Sequence, residues 1–225
     1  MKERPILFND EMVRAILAGR KSQTRRVVKK LPACIYDGRP CRHSWPGKRI
    51  DSICSDCWKE WLKVCPFGTV GDRLWVREAW KPVLVRYPVP LPGLRGEVPS
   101  DYGVPDTEEW EGAIPKKPLL CCGVMYRATG DDDAPWRPSI HMPRWASRIT
   151  LEITDVRVER LRDITDEDAE KEGFCPAFYE KDYVRGYRTG DGITWFSDLW
   201  DSLNAKRGYS WYSNPWVWVI QFNRT

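Results

Sequence analysis

A lysine, a threonine and several arginines stand together near the start of the chain, in LAGRKSQTRR at 17–26. Arg20, Lys21, Arg25, Arg26, Lys29 and Lys30 follow one another with no acid among them. Three uses fit such a run: a solvated basic face, a grip on phosphate, or part of a catalytic site. The catalytic use has definite requirements. A threonine hydroxyl such as that of Thr24 is a poor nucleophile until a base takes its proton. A lysine becomes that base when burial or neighbouring cations lower its pKa. Lys21 has Arg20, Arg25 and Arg26 close in sequence, so its ammonium form is penalised. A carboxylate is then needed to orient the lysine or to pass the proton, and composition does not say which one.

The cysteines form a second constellation. Residues 31–66 hold Cys34, Cys41, His43, Cys54, Cys57 and Cys65 in an irregular stretch with several prolines and glycines. The two-residue spacing of Cys54 and Cys57 lets both thiolates grip one tetrahedral ion. Cys34 and Cys41 complete a four-sulfur set, with His43 or Cys65 as replacements. A segment this poor in core residues gains from a metal that stands in for hydrophobic stabilisation, so a closed, structural zinc is expected there. Only two histidines are present, His43 and His141. His43 is a candidate ligand and His141 reads as a hydrogen-bonded structural residue, so histidine-based catalysis is disfavoured. Neither GxxxxGK[ST] nor GxGxxG occurs, which removes support for nucleotide-triphosphate and dinucleotide folds.

The elements that must position these residues are legible in outline. PILFND at 5–10 reads as a short strand leading to a helix cap at Asn9 or Asp10. Met12, Val13, Ile16 and Leu17 recur at helical spacing, and Gly19 is placed to stop that helix. Lys21 and Thr24 therefore lie in a turn running into the strand TRRVV. GDRLWVREAW at 71–80 is a Gly-Asp turn and a strand with Leu74, Val76 and Ala79 inward. Residues 81–118 are rich in proline and glycine and read as an insertion without central strands. LLCCGVMYRA is strand-like, 131–147 is a loop, and RITLEITDVRVERL alternates as a strand with a break near Asp155. Thr165 and Asp168 resemble a capping box that opens a short acidic helix stopped by Gly173. TWFSDLWDSLNAKRG places Phe196, Leu199, Trp200 and Leu203 on one helical face ending at Gly208, and PWVWVIQF is a closing strand. The fold class this predicts is α+β, mainly β: one domain over 1–225, with a small β-barrel, short helices and two loop-rich insertions at 31–66 and 81–118.

Composition narrows the partners. The 225 residues carry 36 basic and 32 acidic side chains, a net charge of +4 that rules out a bulk polycation. Charge is nevertheless local, basic at 20–30 and acidic at 163–172, which suits a site for an anionic partner. Residues 1–20 contain no apolar leader segment, and the longest apolar run, Trp216 to Ile220, is far too short for a bilayer. The chain reads as cytoplasmic with no membrane partner, so its eight cysteines are expected as thiols or ligands. Among the 13 tryptophans, Trp75 is a candidate base-stacking platform.

These residues resemble a known family. LAGRKSQTRR is similar to the GxKxxxxR signature of the ASCH domain, through Gly19, Lys21 and Arg26 with Thr24 inside it. GDRLWV, ITDEDAEKEG and WVWVIQF resemble that family's Gly-Asp strand entry, short acidic helix and closing strand. CPFGTVGDRLWVREAW and IHMPRWASRITLEITDVRVERL resemble its longer, phage- and prophage-encoded members. Matching segments cover roughly half the chain. The resemblance implies a PUA-like β-barrel that recognises RNA, DNA or a modified nucleoside, here through Lys21, Arg20, Arg25, Arg26 and an aromatic such as Trp75. It also implies an alternative, an amidohydrolase that removes the acyl group of N4-acetylcytidine. The Lys, Thr and Glu of that reaction fall on Lys21, Thr24 and Glu172, with Glu170 and Asp168 as slipped alternatives for the acid. The family pattern has a small apolar residue where this chain has Arg25.

Overall fold

The computed structural model describes residues 1–29, 61–85, 107–109, 122–130, 135–175 and 192–225. The zinc-ligand candidates Cys34, Cys41, His43, Cys54 and Cys57 lie outside them, as does most of the 81–118 segment.

Eight strands and three helices make up the described chain. Strand β1 is Glu3–Leu7, followed by helix α1, Asp10–Leu17. The Asn9 side chain caps α1 by accepting from Met12 N–H at 2.9 Å. Gly19, at φ +72°, takes the left-handed conformation that ends it. β2 is Gln23–Val27, β3 Arg73–Arg77, β4 Trp80–Val85, β5 Thr107–Glu109, β6 Cys122–Tyr126, β7 Thr150–Arg160 and β8 Trp216–Arg224. Helix α2 is Asp166–Lys171 and α3 is Gly192–Asn204.

The strands form a five-stranded sheet in the order β1-β3-β7-β8-β2 and a three-stranded sheet in the order β5-β4-β6. The chain is thus mixed in content, with short helices. Among the described residues the larger sheet has β1 and β2 as edges and does not close into a barrel. By contact density the chain divides into two compact units: 1–4, 15–74 and 150–225 in one, 5–14 and 75–149 in the other.

In the first unit, β8 is the spine. It pairs antiparallel with β2, Arg25 opposite Val219, and with β7, Arg157 opposite Val219. The β7 register shifts between Ile153 and Asp155, where its sequence alternation breaks. One apolar cluster joins Leu161, Ile164, Ala169, Phe174, Phe196 and Trp200 to Val217 and Val219, so α2 and α3 pack on one face of β8. Each large side chain buried there contributes about 1.5–3 kcal/mol. Thr165 caps α2 by accepting from Asp168 N–H at 3.2 Å. Leu203 departs from expectation: it is 40% exposed. It stands one turn beyond Trp200, in the last turn of α3, past the end of this cluster.

In the second unit, Trp80, Met142 and Ala146 form a smaller core. Here β4 corrects the expectation of an insertion without central strands, since it is the middle strand of its sheet and contains Pro82. Trp80 N–H donates to Arg137 O, on the side away from its β6 partner Tyr126. Strand alternation turns the Pro82 nitrogen to the same side, and β5 pairs only with Val83–Val85. Among the described residues the missing N–H therefore interrupts no ladder bond.

Candidate functional site

The turn between α1 and β2 delivers Lys21, and the end of α2 delivers its partner. Ser22 N–H donates to Lys171 O at 2.9 Å, which locks the two chain segments side by side. Gly173, at φ +110°, makes the close approach possible: a Cβ there would lie 3.2 Å from Ala15 Cβ and 3.6 Å from Lys21 Cβ. Lys21 Nζ then donates to Glu172 Oε2 at 2.7 Å and to the Glu172 carbonyl at 2.8 Å. Side-chain exposure is 0% for Lys21 and 2% for Glu172.

Arg25 stands on the other side of the same carboxylate. Its Nη1 donates to Glu172 Oε1 at 3.3 Å, and its Nη2 donates to Glu159 Oε1 at 2.6 Å and Asp168 Oδ2 at 2.8 Å. The guanidinium carbon lies 5.6 Å from the centre of the Phe196 ring. Arg157 closes the network, donating to Glu159 Oε2 and Asp168 Oδ1, each at 3.0 Å. Gln23 Nε2 donates to Asp168 Oδ1 at 3.1 Å. The result is a buried set of interleaved cations and carboxylates on β2, β7 and α2.

Burial governs the electrostatics. Desolvation is the largest influence on Lys21 and lowers its pKa. Glu172 resists this, while Arg26 and Arg25 add to it. Desolvation also lowers Arg26, to about 10, with Glu172 opposing and Arg207 reinforcing. It remains charged at neutral pH. Desolvation pushes the Asp168 carboxyl upward, but Arg25, Gln23 and Arg157 together outweigh it and hold the group below its usual value.

Of the sequence-predicted residues, Lys21, Arg25 and Glu172 are in direct contact. Of the two alternative acids, Glu170 is exposed and Asp168 faces Arg25, not Lys21. Thr24 is 2% exposed and, by strand alternation, on the face of β2 opposite Gln23 and Arg25. Arg20 Nη1 donates to Gly173 O at 3.4 Å. Trp75 belongs to the second unit and is 7% exposed, with Arg77 at 4.6 Å and Arg144 at 5.9 Å from its ring centre. A ring this covered offers little surface for a base to stack on. Cys65 is buried with a free thiol, and burial raises its pKa. Sequence reasoning missed Glu159, Arg157 and Gln23. For Arg157 and Glu159 the one signal is their alternation with Val156 and Val158 in β7; Gln23, on β2, has none of that kind.

A lysine whose pKa burial lowers, with a carboxylate at hydrogen-bonding distance, is a pair suited to proton transfer, and the buried Thr24 hydroxyl lies on the other face of β2. Comparisons with protein-family models, with curated proteins and with solved structures find no match to this chain.

Proposed function

We propose that this chain is an ASCH-like, PUA-like protein acting as an amidohydrolase on N4-acylated cytosine-type nucleosides. The observation that carries the proposal is the fully buried Lys21–Glu172 pair at 2.7 Å, in surroundings that lower the lysine pKa. A lysine gripping a polymer backbone works at the surface, where it releases counterions. Lys21 and Arg25 are instead withdrawn from water and paired with carboxylates, which argues against a phosphate grip at these two residues.

The proposed reaction requires Thr24 Oγ to reach the Lys21 side of β2; the Lys21 amine then takes the hydroxyl proton as Oγ attacks the acyl carbon. The tetrahedral intermediate collapses, the C–N bond breaks, and the leaving N4 amine takes the proton back from Lys21. Water, deprotonated by Lys21, then attacks the Thr24 ester, and Lys21 returns that proton to Thr24 Oγ as the ester C–O bond breaks and the carboxylic acid leaves. Glu172 holds the Lys21 nitrogen in place throughout. Arg26 holds the base carbonyl or a phosphate.

The test is cytidine release from N4-acetylcytidine, followed by chromatography. Wild type is expected to release it, and Lys21→Met and Thr24→Val to be slower by about 100-fold or more. No release at protein concentrations matching the substrate overturns the enzyme. Saturable binding of the nucleoside without turnover would instead assign the site to recognition of a modified base in RNA or DNA.

A further inference from the structure

The Glu172 carboxylate is divided between two cations of different kinds. Oε2 accepts from Lys21 at 2.7 Å and Oε1 from Arg25 at 3.3 Å. A buried lysine–glutamate pair by itself resists proton loss, because removing the ammonium proton leaves a carboxylate in a low-dielectric site with no counter-charge. A guanidinium on the second oxygen removes that obstacle, since arginine keeps its proton. Arg25 is built for this task. Its side chain is 0% exposed, and Glu159 and Asp168 hold Nη2 from the far side at 2.6 and 2.8 Å. Arg157 in turn braces both acids. The fork is thereby fixed and cannot swing toward a substrate phosphate.

We propose that Arg25 is a positioning residue that keeps Glu172 compensated when Lys21 gives up its proton, so that a buried lysine can serve as a base. Its catalytic consequence rests on the amidohydrolase reading, whereas its effect on Lys21 does not. The charged groups that act on Lys21 are Glu172 at the end of α2 and Arg25 and Arg26 on β2, the two arginines both opposing the ammonium form.

The experiment follows the Lys21 side chain by NMR in lysine-labelled full-length protein, its signal assigned by its absence from Lys21→Met. Wild type, Arg25→Lys and Arg25→Met are titrated, and kcat/KM for N4-acetylcytidine is measured over the same pH range. In Arg25→Met the Lys21 titration is expected to move to higher pH. The acid limb of kcat/KM should move with it, and the neutral-pH rate should fall about tenfold with little change in KM. Arg25→Lys keeps a cation but loses the fork, and should fall between the two. A Lys21 titration that stays put or moves down in Arg25→Met overturns the proposal. If Arg25→Met does not fold, Arg25→Gln, which also removes the charge, decides in its place. A Lys21 titration that moves in a protein releasing no cytidine upholds the role of Arg25 and overturns the enzyme reading.

Discussion

Glu172 in the first unit and Glu78 in the second are both buried carboxylates, and their partners give them opposite characters. Glu78 is 1% exposed and takes a complete fork from Arg148, Nε to Oε1 at 3.0 Å and Nη2 to Oε2 at 2.9 Å. The same guanidinium lies 4.0 Å from the centre of the Tyr126 ring and donates to Thr129 Oγ1. Desolvation pushes the Glu78 carboxyl above its usual range, with Arg148 resisting and Asp10 adding to the rise. Neither cation-side atom can leave as a proton, so this pair has a structural role: it ties 78, 126–129 and 148 together. At Glu172 one of the two donors is a lysine. Both carboxylates are almost fully buried, but only the Glu172 cluster has a cation that burial pushes toward losing its proton. The chemistry follows from which cation is used, not from how many are present.

Stability offers the largest test of that contrast. Arg25→Ala strips a buried cation from Glu159, Asp168 and Glu172 and is expected to cost about 3–5 kcal/mol. Arg148→Ala uncovers one carboxylate at a position whose side chain is 26% exposed, where water can replace the fork, so about 1–3 kcal/mol is expected. Urea unfolding followed by tryptophan fluorescence measures both. A larger loss in Arg148→Ala would break the comparison.

The pH dependence of stability should differ in sign between the clusters. Asp168 has its folded pKa below the ordinary carboxylate value of 3.8, so it contributes stability above that value that is lost as pH falls through the folded pKa. Glu78 has its folded pKa above 4.5, so the folded state holds the extra proton and stability declines as pH rises through that window. Glu78→Gln should flatten this decline. Lys21 has its folded pKa below 10.5, so the unfolded state holds the extra proton and stability rises with pH up to 10.5. Lys21→Met should abolish that rise. Unfolding titrations of the three proteins, taken as differences from wild type, read each contribution.

The smallest expected effect sharpens the assignment of α2 to the site. Asn9→Ala and Thr165→Ala each remove a helix N-cap and should each cost about 1 kcal/mol. Thr165 opens the helix that carries Asp168 and ends at Glu172, so Thr165→Ala alone should also disturb the Lys21 titration. Equal disturbance by both would detach the site from α2.

What the sequence determined by itself is local. The Asn9 and Thr165 caps, the stops at Gly19 and Gly173 and the break in β7 near Asp155 all depend on neighbours within a few residues, and periodicity and capping chemistry expose them. Lys21 was legible as a lysine among cations, and Glu172 only through a resemblance. The site itself is non-local. Lys21 meets Glu172 across 151 positions, and Arg25 meets Asp168 across 143. Pairing that distant leaves no periodic trace, so Arg25 read as a contact for nucleic acid or substrate. Pro82 in a middle strand, the covered ring of Trp75 and the exposed Leu203 were likewise decided by tertiary structure. Each depends on which face a neighbouring element happens to cover, and a side chain's own type does not encode that.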